Sequence, residues 1–406
     1  MKKRWIAMSK SYGIWAACLL LPLLLASCEA SEKEMIPTTK EGDFVFRFSL
    51  PPALTVNTRS GSIGDVTIAD VWVIQFDGDG KKLFAKSFSG DDIGQATDES
   101  GTPNNALLQV TTSGFSDINS TFRVIGNFGT DDTKLKAFSE NATATKADLQ
   151  QITKDFSSLY TTAKNLLVSN DIEYKSKGTS TGEEGVKAIV TAPLNYAYAW
   201  IDVKWISKVV EPAKFELRSI KAYGLPKILA IDSRAGAATG VYPSEATGSC
   251  TVKATDTDNG SLADNSSFPF YMPENLRGIG CGVSFQQKNI ADYGPKNDGT
   301  APTLGADGKP ADGGSLANCT YIDLEGLYYY ANSAGTDAVT GAVGARYRLY
   351  LGGNLMNDYN IRRGYHYTVT VEISGINSAD VRVTITDGAV VVFDKVDTIT
   401  KEVDFR

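Results

Sequence analysis

The chain contains a single histidine, His366, in 406 residues. The usual histidine-rich zinc sites cannot be assembled here, and a Ser-His-Asp triad would depend on His366 alone. This histidine lies in an alternating strand pattern, which favours a structural role. The glycine-rich stretch at residues 277–282 lacks the lysine and the following helix of a phosphate-binding loop. We therefore expect no catalytic residue, no metal ligand and no cofactor, and we do not expect an enzyme.

Positive charge is also in deficit, because the chain carries 40 basic and 47 acidic residues and a net charge of -7. Loss of residues 1–59 would remove eight basic and five acidic side chains, leaving 32 and 42 and a net charge near -10. Binding to nucleic acid needs clustered positive charge, so a nucleic-acid partner is not expected.

A long apolar run occurs near the start of the chain, at residues 14–26, after a basic segment that includes Lys2, Lys3 and Arg4. The run is too short for a comfortable membrane span, and small residues at its end precede Cys28. This pattern is typical of a lipoprotein signal peptide over residues 1–27. Cys28 is then the expected lipidation site, carrying an acyl anchor such as palmitate in an exported chain.

A strand pattern follows at residues 44–50 (FVFRFSL), where apolar and polar side chains alternate until two prolines end the run. An exposed-looking polar segment comes next and contains Arg59 and Ser60. A strand joined to the body by a cleavable linker can be removed. Residues 28–59 therefore carry a first strand that a cut in this linker would remove.

The rest of the chain has the composition of a mostly β protein, with 18 tyrosines and frequent Thr, Val and Ile. Residues 68–88 predict a hairpin around the turn at residues 77–80 (DGDG). This turn begins like a calcium loop, but Lys81 occupies the next ligand position, so a plain turn is favoured. Residues 107–110 and 121–126 predict further strands.

A helix is predicted between residues 146 and 168, where apolar side chains recur every three or four positions. These apolar residues are Leu149, Ile152, Phe156, Leu159, Ala163 and Leu166. We expect this helix to pack on a sheet.

Residues 186–205 return to strand composition and contain aromatic side chains two positions apart. These aromatic residues are Tyr196, Tyr198 and Trp200. Their spacing places them on one face of a strand, with Trp205 on the other face if the strand continues unbroken.

The length of the chain predicts two domains, over residues 60–206 and 207–406. Two long stretches in the second half, residues 232–265 and 292–315, are dense in Gly, Asp, Thr and Ser. Loops of this length are uncommon inside compact domains, so they either carry contacts or are partly mobile. Strand alternation resumes in the last third of the chain.

Three cysteines remain in the body once Cys18 leaves with the signal peptide and Cys28 takes lipid. They are Cys250, Cys281 and Cys319. Their spacing matches no zinc or haem pattern. One disulfide with a free thiol, or three buried thiols, are the two alternatives.

Three segments of the second half stand out together: residues 268–278 (FPFYMPENLRG), residues 347–354 (YRLYLGGN) and residues 357–367 (NDYNIRRGYHY). With the lipoprotein signal, Arg59, and the strands at residues 70–77 and 122–127, they resemble the fimbrillin superfamily of Bacteroidia. This superfamily comprises the Mfa-like lipoprotein precursors that build type V pili. The resemblance spans nearly the whole chain.

The resemblance implies a mainly β fold of two transthyretin-like β-sandwich domains with one or two short helices. It also implies that residues 28–59 are a propeptide with a removable first strand, cleaved between Arg59 and Ser60 by a trypsin-like surface protease. The cleaved subunits would then polymerise by donor-strand exchange. The donor strand in this family comes from the C-terminal end of a neighbouring subunit. The corresponding candidates here are Val390, Val391, Val392, Phe393, Val403 and Phe405.

The implied location is the cell outer membrane, as a surface-exposed lipoprotein precursor held by lipid on Cys28, and then a fimbrium after processing. The implied partners are other fimbrial subunits, either copies of this chain or minor pilins, and a host or bacterial surface receptor. The implied function is that of a structural pilus subunit that contributes to cell adhesion.

Several alternatives remain open from the sequence. The subunit could belong to the stalk, the tip or the anchor of a fibre, and the C-terminal segment could be a donor strand or the last hairpin of the second domain. A tip adhesin or a non-polymerising surface lipoprotein that binds glycan or protein ligands is the alternative function. A glycosidase would need two carboxylates distant in sequence to meet in space.

Overall fold

The computed structural model describes residues 43–51, 67–97, 103–162, 165–176, 186–232, 247–255, 260–331, 339–376 and 378–387. These residues are mostly β, as the sequence predicted. The strands of the first half are β1 (Asp43–Ser49), β2 (Asp70–Phe76), β3 (Lys82–Ser89), β4 (Gly94–Thr97), β5 (Pro103–Thr112), β6 (Ser120–Gly126), β7 (Thr153–Asp155), β8 (Leu167–Ser169), β9 (Ile172–Tyr174) and β10 (Val186–Tyr196).

The second half adds nine strands to the described structure. They are β11 (Ala199–Ser207), β12 (Lys214–Pro226), β13 (Ile228–Ala230), β14 (Thr247–Ala254), β15 (Ser267–Met272), β16 (Tyr321–Ala331), β17 (Val339–Tyr350), β18 (Tyr365–Gly375) and β19 (Ser378–Asp387). The α-helices are short: α1 (Thr133–Glu140), α2 (Lys146–Gln150) and α3 (Phe285–Lys288), with single 3-10 turns at Gly90–Asp92 and Ala291–Tyr293. Within the described ranges, none of these helices is long and apolar enough to cross a membrane.

The first half of the chain forms a nine-stranded system in the order β3-β2-β6-β8-β10-β1-β5-β4, with β9 paired to β6. Strand β10 links two parts of it, because residues 186–193 pair with β1 and residues 194–196 pair with β8. The two parts face each other across a core of aromatic rings. In this core the ring of Phe46 on β1 lies 5.0 Å from that of Phe122 on β6.

The second half forms two four-stranded sheets, in the orders β15-β11-β18-β19 and β14-β12-β16-β17. Their inner faces pack together through aromatic contacts. The ring of Phe215 lies 6.0 Å from that of Trp205 on the facing sheet and 5.5 Å from that of Tyr347 on its own sheet. The hydroxyl of Tyr347 also donates to the carbonyl oxygen of Gly375 on the opposite sheet at 2.6 Å. This face-to-face packing is that of a β-sandwich.

The hairpin predicted at residues 68–88 is confirmed, because β2 and β3 pair antiparallel along their length. Its turn is fixed by Asp77, whose Oδ1 accepts hydrogen bonds from the backbone N–H groups of Asp79 and Lys81. Gly80 has a φ of 79° in this turn, a conformation that glycine adopts without steric cost. The turn therefore uses Asp77 as an internal acceptor.

The long helix predicted at residues 146–168 is wrong, because helix α2 ends at Gln150. Residues 153–155 instead form β7, which pairs antiparallel with β13. Five of the six apolar residues of the predicted face are nevertheless described as buried or packed on the core: Leu149, Ile152, Phe156, Leu159 and Leu166. The periodic pattern therefore marks buried residues in a segment without regular helical structure. In that segment, residues 153–155 make strand hydrogen bonds instead of helical ones.

The aromatic run at residues 196–205 does not lie in one continuous strand, since β10 ends at Tyr196 and β11 begins at Ala199. Within β11, Trp205 faces the sandwich core and Trp200 lies on the opposite face. Strand β11 pairs with β15 and β18 of the second half. Ala199 is the first residue in the sequence that pairs within the sheets of the second half.

The two long stretches that the sequence assigned to loops differ in structure. Residues 292–315 carry contacts, with backbone hydrogen bonds such as Ser315 N–H to Pro295 O at 3.0 Å. Close backbone approach explains their glycines, because a Cβ on Gly314 would lie 2.1 Å from the carbonyl oxygen of Gly294. The stretch at residues 232–265 contains strand β14, which the sequence analysis missed although Cys250 and Val252 alternate with polar neighbours.

Candidate functional site

The strand predicted at residues 44–50 is present as β1 and is deeply buried. The side chains of Phe44, Phe46 and Phe48 each have an exposed fraction of 0%. They recur every second residue and therefore lie on one face of the strand. Val45, on the other face, is 6% exposed. The alternation in the sequence thus gives a strand whose phenylalanine face is in the core.

Strand β1 lies in the interior of its sheet although it precedes all the other described strands. It pairs parallel with β10, from Asp43 opposite Val186 to Ser49 opposite Pro193. Its other edge pairs antiparallel with β5 over residues 44–49. A strand that pairs on both edges contributes two ladders of backbone hydrogen bonds. Its loss would leave β5 and β10 each with an unpaired edge where they now face β1.

The phenylalanine face of β1 completes a cluster of aromatic rings. The ring of Phe46 lies 4.9 Å from Phe115 and 5.0 Å from Phe122. The ring of Phe44 lies 5.4 Å from Phe115 and 5.5 Å from Tyr174. Tilted and edge-to-face pairs at these distances are favourable. The sequence analysis did not identify Phe115, because it lies between strands where no alternation marks it.

The apolar face of β1 continues onto both neighbouring strands. Phe46 lies opposite Val110 of β5 and Val190 of β10, and these two valines are 1% and 5% exposed. Without β1, the space between β5 and β10 would be an apolar groove bordered by unpaired backbone N–H and C=O groups. We call this space, with its borders at residues 107–112 and 186–193, the β1 groove. Such a groove is a template for pairing with another strand.

The other predicted site residues lie outside the described residues. These are Cys28, Arg59, Ser60, Val390, Val391, Val392, Phe393, Val403 and Phe405. In the sequence, β1 lies between Cys28 and Arg59. The last described hairpin is β18–β19, and it ends at Asp387. The candidate donor segments therefore begin after that hairpin is complete.

The residues considered for chemistry are separate in the structure. His366 lies in β18 and stacks on Trp200 at a ring-centroid distance of 4.5 Å. Asp91 and Asp92 lie in an exposed 3-10 turn. Within the described part of the chain, no group of three or more His, Cys, Asp and Glu side chains is placed to hold a metal ion.

The three cysteines of the body are free thiols. Cys319 is buried, and burial raises its thiol pKa to about 11. Cys250 is partly exposed, and burial raises the pKa of its thiol to about 12. Of the two alternatives left by the sequence, the disulfide is therefore absent from this structure.

Comparison with known proteins gives one family match. Residues 270–371 match the model of a domain of unknown function (DUF4906). No curated protein matches the chain.

Several solved structures are similar to the chain. The tip fimbrial protein Mfa3 from Porphyromonas gingivalis with C-terminal truncation is 14% identical, with a TM-score of 0.45, over 86% of this chain and 99% of that one. A fimbrilin (fimA) from Porphyromonas gingivalis W83 is 13% identical, with a TM-score of 0.47, over 87% and 99%. A fimbrial assembly protein from Parabacteroides distasonis is 14% identical, with a TM-score of 0.43, over 86% and 98%. All three of these structures are of fimbrial proteins.

Proposed function

We propose that this chain is the precursor of a cell-surface fimbrial subunit. In this proposal Cys28 carries lipid that holds the precursor at the outer membrane, and a trypsin-like protease cuts after Arg59. The cut releases β1, and the β1 groove then accepts a strand from another subunit. The processed subunits assemble into a fimbrium that contributes to adhesion.

The observation that carries the proposal is the position of β1. A first strand that is central in its sheet and buries three phenylalanines keeps the precursor complete and closed to partners. Burying one phenylalanine contributes roughly 1.5–3 kcal/mol, so an empty β1 groove would be strongly unfavourable. Release of β1 therefore provides a driving force for binding a replacement strand, which β-strand addition supplies through backbone hydrogen bonds and apolar side chains.

The distribution of basic residues favours Arg59 as the cleavage point. Arg59 is the only lysine or arginine between Arg47 and Lys81. Arg47 lies within β1, where its backbone faces Thr191 on one side and Gln109 on the other. A protease needs an accessible, extended backbone, and sheet pairing protects Arg47 from it. Cleavage at Arg59 would remove the whole of β1 without cutting the body.

The C-terminal segment has the pattern needed to replace β1. The groove takes large apolar side chains at every second position, as Phe44, Phe46 and Phe48 show. In the tail, residues 389–393 (AVVVF) place an apolar side chain at every position, and residues 401–405 (KEVDF) alternate with Val403 and Phe405 on one face. Both segments follow the end of β19 in the sequence. We expect residues 389–393 to be the better donor, because they supply three apolar side chains on one face.

The decisive test compares the N-terminus and assembly state of the surface protein with those of two variants. The wild-type protein from the cell surface should begin at Ser60 without lipid and form oligomers that resist heating in detergent. Arg59→Ala should stay lipidated and monomeric. Lys40→Ala, a basic residue of the same propeptide, is the matched control and should behave as the wild type. Polymers formed by Arg59→Ala, or a wild-type chain that still begins at lipidated Cys28, would contradict the proposal.

A further inference from the structure

A pocket of about 510 Å³ opens where the turn after β7 meets segments of the second half, and none of its lining residues borders the β1 groove. It is lined by the turn after β7, the corner between β12 and β13, the start of β14, and residues 316–319. Its volume lies within the roughly 300–1,000 Å³ typical of small-ligand sites. The buried core does not fill this space, although several chain segments converge on it.

One wall of the pocket is a pair of tyrosine rings held rigidly across two strands. Tyr223 of β12 lies opposite Tyr321 of β16, and their rings stack at 4.9 Å with an interplanar angle of 16°. The guanidinium of Arg348 covers Tyr321 at 4.2 Å from the ring centroid. Asp323 in turn holds Arg348 through two hydrogen bonds of 2.8 Å. This ladder fixes the tyrosines, and both rings remain partly exposed.

Polar groups border the tyrosine wall. Ser249 of β14 lies directly opposite Tyr223 in the strand pairing and is exposed. Asn318 and Lys227 also line the pocket. The charge of Lys227 is offset by nearby Asp155, whose pKa lies below its ordinary value mainly because Ser157 donates hydrogen bonds to it, with Lys227 a smaller contribution. The pocket thus offers hydroxyl, amide and ammonium groups without a strong net charge.

Backbone packing closes the floor of the pocket. Gly224 has a φ of 67°, and a Cβ there would lie 2.2 Å from the carbonyl oxygen of Cys319. A Cβ on Gly248 would lie 2.9 Å from the hydroxyl of Tyr160. The Tyr160 hydroxyl is itself fixed by donation to the carbonyl oxygen of Pro226 at 3.0 Å. The walls are therefore preformed, which lowers the entropic cost of binding a ligand.

We propose that this pocket binds carbohydrate, with one sugar ring packed on Tyr223. Tyr321 is covered by Tyr223 and by the Arg348 guanidinium, whereas Tyr223 has the exposed Ser249 on its other side. The apolar C–H face of a pyranose packs on an aromatic ring, while its hydroxyls exchange hydrogen bonds with groups at the border. Ser249 both donates and accepts, as a sugar hydroxyl requires, and Lys227 donates. An apolar ligand would cover the Ser249 hydroxyl and the Lys227 ammonium without offering them hydrogen bonds.

The test uses the full uncleaved chain and a defined set of probes. Saturation-transfer NMR would be recorded with the methyl glycosides of glucose, galactose, mannose, fucose, N-acetylglucosamine and N-acetylneuraminic acid. At least one glycoside should receive saturation from the wild-type protein. Ser249→Trp, which places a large ring in the pocket from an exposed position, should abolish the signal. Tyr223→Ala should weaken binding about tenfold through loss of the stacking face.

Tyr330→Ala is the matched control, because Tyr330 lies on the same strand as Tyr321, is 42% exposed and does not line the pocket. It should bind as the wild type does. The proposal is overturned if none of the six glycosides receives saturation, or if binding persists in both Ser249→Trp and Tyr223→Ala. Because the uncleaved chain is used, either result leaves the test of processing and assembly unaffected.

Discussion

His366 is a half-buried histidine, and among the described residues no charged group stabilises its protonated form. It stacks on Trp200, and burial lowers its pKa from 6.5 to about 4. Between pH 6.5 and 4 the unfolded chain therefore binds a proton at this residue that the folded chain does not. The free energy of unfolding must fall as the pH falls through this window.

We predict that the wild type loses on the order of 2 kcal/mol more stability than His366→Gln as the pH falls through this window. Both proteins carry the same carboxylates, and this chain has no second histidine. The difference between their denaturation curves at each pH therefore isolates His366. Parallel loss of stability in the two proteins would show that His366 is not the titrating group.

Lys288 is a buried cation at the centre of the loops that follow β15. Its side chain is inaccessible, and its Nζ donates to the carbonyl oxygens of Asn354 and Asp358. The hydroxyl of Tyr359 donates back to the Lys288 carbonyl at 2.8 Å. Burial lowers the pKa of Lys288 from 10.5 to about 7. Above pH 7 the folded state thus loses a proton that the unfolded state keeps, and stability rises with pH towards 10.5.

Lys288→Met keeps the length of the side chain and removes its titration. We predict that the stability advantage of the wild type over this variant grows by on the order of 1–2 kcal/mol as the pH rises above neutrality. The measurement is urea denaturation of both proteins at a series of pH values. An advantage that stays constant with pH would mean that Lys288 does not change its protonation there.

At the scale of elements, β1 permits a prediction that separates the precursor from the processed body. Phe46 is fully buried among Phe115, Phe122 and the valines beneath it. Phe46→Ala should destabilise the uncleaved chain by about 3–5 kcal/mol, through lost burial and the cavity left behind. Ser49→Ala, at a half-buried position of the same strand, should change stability by less than about 0.5 kcal/mol.

The processed body lacks residue 46, so its sequence is the same in the wild type and in Phe46→Ala. Chemical denaturation of the precursor and of the body starting at Ser60 should therefore show the destabilisation in the precursor alone. Loss of stability in the precursor of less than about 1 kcal/mol would contradict the burial that β1 shows here.

The elements that local pattern could predict are those whose pairing partner is near in sequence. The β2–β3 hairpin and the alternation of β1 were predicted, since a turn and a period of two are local signals. The failure at residues 146–168 has a different origin. A three-to-four residue apolar spacing fits both a helix and an irregular buried path, and the pairing of β7 with distant β13 decided between them.

In the candidate site, too, some features were predictable from local sequence and others depended on distant parts of the chain. Its phenylalanine face was readable from the sequence of β1, but its parallel neighbour β10 begins at Val186 and its ring partner Phe115 lies between strands. The pocket beside Tyr223 and Ser249 could not be predicted from local sequence patterns, because its walls come from segments that meet only in the folded chain. Contacts between residues distant in sequence thus determine the parts of these sites that local periodicity could not predict.

At the scale of the whole molecule, a polar network joins the first and second halves of the described structure. Arg123 of β6 lies 2.7 Å from a carboxylate oxygen of Asp171 and 3.1 Å from one of Asp232. Arg363, just before β18, donates to the carbonyl oxygens of Ile231 and Asp232 at 2.9 and 3.0 Å. The segment after β13 is therefore held from one side by the first half and from the other by the second.

Asp232 is the centre of this network, and its side chain is 5% exposed beside that of Arg123 at 10%. Asp232→Asn leaves the Arg123 charge buried with less compensation, so we predict a loss of about 2–3 kcal/mol in the free energy of unfolding. Asp171→Asn removes a carboxylate from the same arginine at a site that is 34% exposed. This matched control should lose less than about 1 kcal/mol, because solvent replaces the lost interaction. Equal losses in the two variants, measured by chemical denaturation, would show that Asp232 has no special part in joining the halves.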